Sequence, residues 1–173
     1  FENNQNEYMN FVRSINPGGS TNLNAGLTKA YSAARNTFNA DKINRVILLT
    51  DAYINTGITN EHIIADNIVI NGREGIYFSG LGISQDVNEK YLNTLTDKGK
   101  GSYFALCTAQ DAMRAFDERF YALLVNAARN VHFQLEYPAE LSRSETGSEE
   151  VSPIKSEVQA TNFSFNTSQY FFE

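Results

Sequence analysis

The chain has 173 residues, 42% of them hydrophobic and 20% charged, which suits one globular domain with a short appendage. Eleven glycines and three prolines exclude a collagen-like or low-complexity chain, and a single cysteine, Cys107, excludes a disulfide framework or a thiolate zinc site within it. The net charge of -6 is uneven, -1 over residues 1–130 and -5 over 131–173, with no basic stripe for nucleic acid and an acidic tail that disfavours anionic lipid. No apolar run approaches the ~20 residues of a membrane span, and nothing at the start reads as a signal peptide. His62 and His132 lie far apart, which argues against a multi-histidine metal cluster.

Tyr8, Phe11, Val12 and Ile15 recur at spacings of three and four, predicting a short amphipathic helix over Asn3 to Ile15. Pro17-Gly18-Gly19 stops it and opens a loop. From Asn22 to Asn39 a stripe of Leu23, Leu27, Ala30, Tyr31, Ala34 and Phe38 predicts a second helix. Arg45 to Asp51 is a continuous aliphatic run, the pattern of a central parallel strand covered on both faces, so Val46 to Leu49 are expected to be inaccessible. A helix is expected over Asn60 to Ile70, with His62 on its surface, and a strand within Gly75 to Ile83.

Asn88 to Asp97 reads as a short helix with Tyr91, Leu92 and Leu95 inward, and Ser102 to Leu106 as a strand that leaves Cys107 as a small core residue. Thr108 caps the next helix, with Asp111 as its capping-box partner, and that helix buries Met113, Phe116, Phe120, Leu123, Leu124 and Ala127. Strands alternating with helices imply an α/β fold, three-layered, with a mainly parallel sheet and helices on both faces. At Val131 the period changes to two: Val131, Phe133, Leu135 and Tyr137 predict a half-buried strand with His132 facing solvent. Residues 142–152 are Ser/Glu-rich loop, and residues 161–172, with Phe163, Phe165, Tyr170, Phe171 and Phe172, are expected to pair with 131–137. The domains are therefore 1–130, the α/β unit, and 131–173, a β extension with an acidic loop.

Two segments carry the chemistry. A glycine loop, Gly18-Gly19-Ser20-Thr21-Asn22-Leu23-Asn24-Ala25-Gly26-Leu27, runs straight into a helix, and the aliphatic strand ends in Thr50-Asp51. In open parallel sheets ligands bind beyond the carboxyl ends of the strands, and a carboxylate with a hydroxyl there are hard oxygen ligands. Taken singly, Thr21 also suits a helix cap and Asp51 a strand-end turn. No nucleophile–base pair is visible, so no catalytic residue is assigned and no enzyme activity is expected.

The order and spacing of "GGSTNLNAGL" and "VILLTDAYINTG" resemble the second and third metal loops of the von Willebrand factor type A (VWA) domain, and "GIYFSGLGI" and "LNTLTDKGKGSYFAL" resemble its last strands. The likeness covers most of residues 1–130 and is nearest the bacterial branch related to the so-called calcium-activated chloride channel homologues. It implies a Rossmann-like fold with Thr21 and Asp51 as metal ligands for Mg²⁺, or Mn²⁺ or Ca²⁺, and Tyr53, Ile54 and Asn55 on the partner-binding rim. It implies further a cation-dependent adhesion module that meets a protein partner through a carboxylate on the metal, at a periplasmic or cell-surface location. The family's Asp-x-Ser-x-Ser loop does not occur in these residues, and Ala52 stands where a glycine is usual. The chain thus reads as the C-terminal portion of the fold, with a site that is incomplete and a metal affinity that is weak or nil. Its sheet would then be completed by an upstream segment or a partner chain. A structural or assembly module with a vestigial site is the alternative.

Overall fold

The structure is a computed structural model that describes residues 4–16, 18–51, 57–72, 75–83, 88–142, 152–158 and 160–168. Helix α1 (Gln5–Ser14) forms where the spacing of Tyr8, Phe11 and Val12 requires, yet none of its residues is buried. Helix α2 (Leu23–Asn36) buries Leu23, Leu27 and Tyr31 and stops before Phe38, which is exposed. The aliphatic run becomes β1 (Arg45–Thr50), followed by α3 (Glu61–Gly72), β2 (Tyr77–Ile83), α4 (Glu89–Lys98) and β3 (Tyr103–Leu106). The strands form a parallel sheet in the order β1-β2-β3, with Arg45 opposite Tyr77 and Gly80 opposite Tyr103.

Successive side chains of a strand point to opposite faces, so each face needs its own cover. Val46 and Leu48 join a larger core with Ile64, Ile68, Phe78, Leu92 and Leu95, under α2, α3 and α4. Ile47 points the other way, into a smaller core of Leu81, Leu106, Ala115 and Leu123 under helices α5 (Ala109–Phe116) and α6 (Phe120–Leu124). Burying each such side chain is worth about 1.5–3 kcal/mol. The result is the expected three-layer α/β arrangement with helices on both faces.

The exposure of β1 departs from expectation. Among the described residues it is paired on the β2 side alone and stands at the sheet's edge. Leu49 is 51% exposed, because the smaller core is built mainly on β2 and β3 and does not extend to it. An aliphatic strand signals two apolar faces; it does not determine how many neighbouring strands it has.

The long helix expected after Thr108 is two helices. The capping box forms as the sequence predicts, with Thr108 Oγ1 accepting from the Asp111 N–H and the Asp111 carboxylate accepting from the Thr108 N–H. After Phe116 the chain turns, and the Arg119 N–H donates to the Arg114 carbonyl five residues back. That wide turn rotates the apolar stripe, so Leu123 is buried while Met113, Phe116 and Phe120 remain exposed. Ala127 leaves the helix altogether and sits exposed on the next strand.

The extension is also shifted. Its first strand is β4 (Asn126–Val131), five residues earlier than expected, while 132–138 has no regular structure and leaves Phe133, Leu135 and Tyr137 exposed. β4 pairs antiparallel with β5 (Thr161–Ser164), so the tail does form a strand, but its partner is 126–131 and not the expected 131–137. Polar contacts account for the register. Asn162 accepts from the Asn130 N–H at 3.1 Å and donates to the Lys100 carbonyl at 3.2 Å, and Ser102 and Ser164 share a hydrogen bond. His132 does not face open solvent: it is half-buried, with Nε2 3.1 Å from the Val158 carbonyl. Tyr170, Phe171 and Phe172, and most of the Ser/Glu-rich loop, lie outside the described residues.

Candidate metal and partner-binding site

Asp51 follows the last residue of β1 and is exposed at the carboxyl end of the sheet. Its carbonyl accepts from the Asn88 N–H at 3.3 Å, tying the end of β1 to the start of α4. Thr21 is half-buried, two residues before α2. It is not the helix cap. That role belongs to Asn22, whose Oδ1 accepts from the Ala25 N–H at 3.0 Å and satisfies one of the orphaned donors of the first turn. The cap function and the Thr21 hydroxyl are thus assigned to different residues.

The loop after β1 returns to this point at Gly57. A Cβ built there would lie 2.6 Å from Asn22 Nδ2 and 2.7 Å from its Cγ and Oδ1. Only a glycine fits, and its φ of 77° is also one that side chains disfavour. Through this contact the residue after Thr21 meets Gly57, six residues beyond Asp51 in the chain. Sequence reading singled out neither Asn22 nor Gly57. Their signals were present: an Asn at the start of an apolar helical stripe, and a glycine six residues beyond the strand-end acid.

Tyr53, Ile54 and Asn55 lie outside the described residues. Cys107, expected inside, is exposed just past the end of β3, where the strand has left the core. His62 is exposed on α3 as expected. A cleft lined by Phe104, Asp111, Arg114, Glu118 and Arg119 contains neither Thr21 nor Asp51. Magnesium requires about six oxygens in a near-octahedral set. Thr21 and Asp51 offer two side chains, one of them charged, and among the described residues no group of three or more His, Cys, Asp or Glu could hold a metal ion. The pair by itself is not a self-sufficient metal centre. No helix among the described residues is long and apolar enough to cross a membrane.

Comparison with known proteins agrees with this arrangement. The family model for the von Willebrand factor type A domain matches residues 1–119. The chain is similar to protein YfbK of Escherichia coli (strain K12), 30% identical over 127 residues, which is 73% of this chain and 22% of that protein. It is also similar to inter-alpha-trypsin inhibitor heavy chain H3 of Mesocricetus auratus, 29% identical over 139 residues, 76% of this chain and 15% of that protein. Heavy chain H2 of Mus musculus is 25% identical over 133 residues, 74% of this chain and 14% of that protein. The chain therefore spans less than a quarter of the length of these relatives. With a matched family model over residues 1–119 and a parallel sheet that ends β1 in an exposed acid, the chain belongs to the von Willebrand factor type A domain family.

Proposed function

We propose that this domain is an adhesion-type protein-binding module without catalytic activity, and that its binding end is the Thr21–Asp51 end of the sheet. The observation that supports the reading is that Asp51 stands exposed at the carboxyl end of the sheet while Asn22, next to Thr21, meets Gly57 six residues beyond that acid. In this reading Thr21 and Asp51 are part of the ligand set for Mg²⁺, Mn²⁺ or Ca²⁺, and further oxygens come from outside the described residues. When bound, such a cation offers an open position to a carboxylate of the partner. Tyr53, Ile54 and Asn55 follow Asp51 and belong to the proposed rim, where an aromatic beside polar groups suits a binding anchor. A periplasmic or cell-surface location is part of the same proposal, on the strength of the family likeness.

Calorimetric titration with magnesium tests it. Weak binding, in the millimolar range, is expected of this chain, because Asp51 is the one charged ligand assigned. Asp51→Ala should abolish it. Binding that survives Asp51→Ala, or micromolar affinity in the unaltered chain, would overturn the assignment. The second reading is a structural or assembly module with a vestigial site, favoured by the lack of an Asp-x-Ser-x-Ser loop in these residues and by Ala52 in place of the usual glycine. No magnesium binding at tens of millimolar would select it.

A further inference from the structure

At the other end of β1 from Asp51, positive charge is gathered with no carboxylate paired to it among the described residues. Arg45 opens the strand, and two of its N–H groups donate to neutral oxygens, Nη1 to Ser79 Oγ at 2.6 Å and Nη2 to Asn126 Oδ1 at 3.0 Å. Its Nε is shut off from solvent and has no acceptor among the described residues. The same holds for the amide nitrogen of Asn126, which binds Arg45, and for the phenol of Tyr31, which lies within electrostatic reach of Arg45. Three buried donor groups around one guanidinium therefore want acceptors.

A second guanidinium completes the group. Arg129 on β4 lies 5.1 Å from the centroid of the Tyr77 ring, and Arg45 lies 5.7 Å from the same centroid. Neither arginine is paired with a carboxylate among the described residues. Removing a guanidinium from water without a counter-charge is costly, and donors left unpaired add to that cost. Burial pulls the Arg45 guanidinium down to about 10, with Tyr77 and Tyr31 opposing the shift and Arg129 adding to it. Arg129 is exposed, so its guanidinium can be reached from solvent, and Arg45 is half-buried beside the same ring.

We propose that Arg45 and Arg129 together hold a small oxyanion, a carboxylate or a phosphate, at the base of the sheet. Such an ion carries acceptors only, which suits two guanidiniums without a carboxylate partner among the described residues, and planar guanidinium forks match its geometry. The site is independent of the proposed function, since the length of β1 places it about 20 Å from Asp51.

Arginine Nε–H resonances of the ¹⁵N-labelled chain, followed in titrations with sodium phosphate and with sodium acetate at constant ionic strength, test the proposal. Saturable shifts of the Arg45 and Arg129 signals with either anion, absent with chloride, are expected. A response to acetate alone identifies a carboxylate site, and a response to phosphate alone a phosphoryl site. Arg129→Gln should weaken binding about tenfold while leaving the fold intact, since the side chain is exposed. Arg45→Gln removes bonds to both β2 and β4 and can unfold the chain, so Arg129→Gln is the deciding variant. No saturable shift with either anion, the same shift with chloride, or unchanged affinity in Arg129→Gln would overturn the site.

Discussion

At Gly57, packing and backbone impose the same restriction. Its φ is 77° and the space for a Cβ is filled by the Asn22 amide. Gly57→Ala should therefore cost about 1–3 kcal/mol in urea unfolding, and it should also move the Thr21 and Asn22 amide resonances, because the displaced side chain is the α2 cap. Tyr91 is restricted by burial. Its phenol is pushed up to about 12, first by desolvation and then by Glu61, and its hydroxyl has no partner among the described residues. The unfolded phenol loses its proton near 10 while the folded one keeps it, so the unfolded state binds fewer protons between these values. Stability is then complete below pH 10 and falls as pH rises toward 12. Urea midpoints at pH 9 and pH 11 should show that fall, and Tyr91→Phe should reduce it.

Among the elements, helix starts are the most locally determined features. Asn22, Asn60, Asn88 and Thr108 each accept a backbone N–H of the turn that follows, at α2, α3, α4 and α5. Asn88 does more than cap, because its own N–H also holds the Asp51 carbonyl. Asn88→Ala should cost about 1 kcal/mol in thermal or urea unfolding through loss of the cap. The side-chain change leaves the Asn88 N–H and its bond to the Asp51 carbonyl in place, so the residue-88 amide should exchange with solvent at nearly the wild-type rate. Where α5 ends is less local. The sequence from Asp111 to Leu124 has an unbroken apolar stripe, and the turn at 117–119 exists because Leu123 reaches the smaller core only after the chain has rotated.

Across the whole molecule, the extension is stitched to the α/β unit by polar side chains. Asn162 bridges Asn130 and Lys100, Arg45 reaches Asn126, and the Phe165 N–H donates to the Val125 carbonyl at 2.9 Å. Asn162→Ala should cost about 1–3 kcal/mol, because it strands the Asn130 N–H and the Lys100 carbonyl. Hydrogen exchange should show slow amides in the paired parts of 126–131 and 161–164 and fast ones in 132–138, which has no ladder to protect it.

By itself the sequence was sufficient for the alternation of helix and strand, the capped start of α5, the inward triad Tyr91, Leu92 and Leu95, and the family motifs around Thr21 and Asp51. All of these rest on spacings within one turn, one strand or one loop, where local sterics and hydrogen bonding decide the outcome. Tertiary structure alone placed β1 at the edge, split the helix after Phe116, exposed Cys107 and moved the first strand of the extension to Asn126–Val131. It also brought Gly57 against Asn22 and gathered Arg45, Asn126 and Arg129 around Tyr77. Those outcomes depend on residues dozens of positions apart competing for the same faces and the same hydrogen-bond partners, and an apolar or polar pattern read along the chain carries no record of which distant neighbour wins.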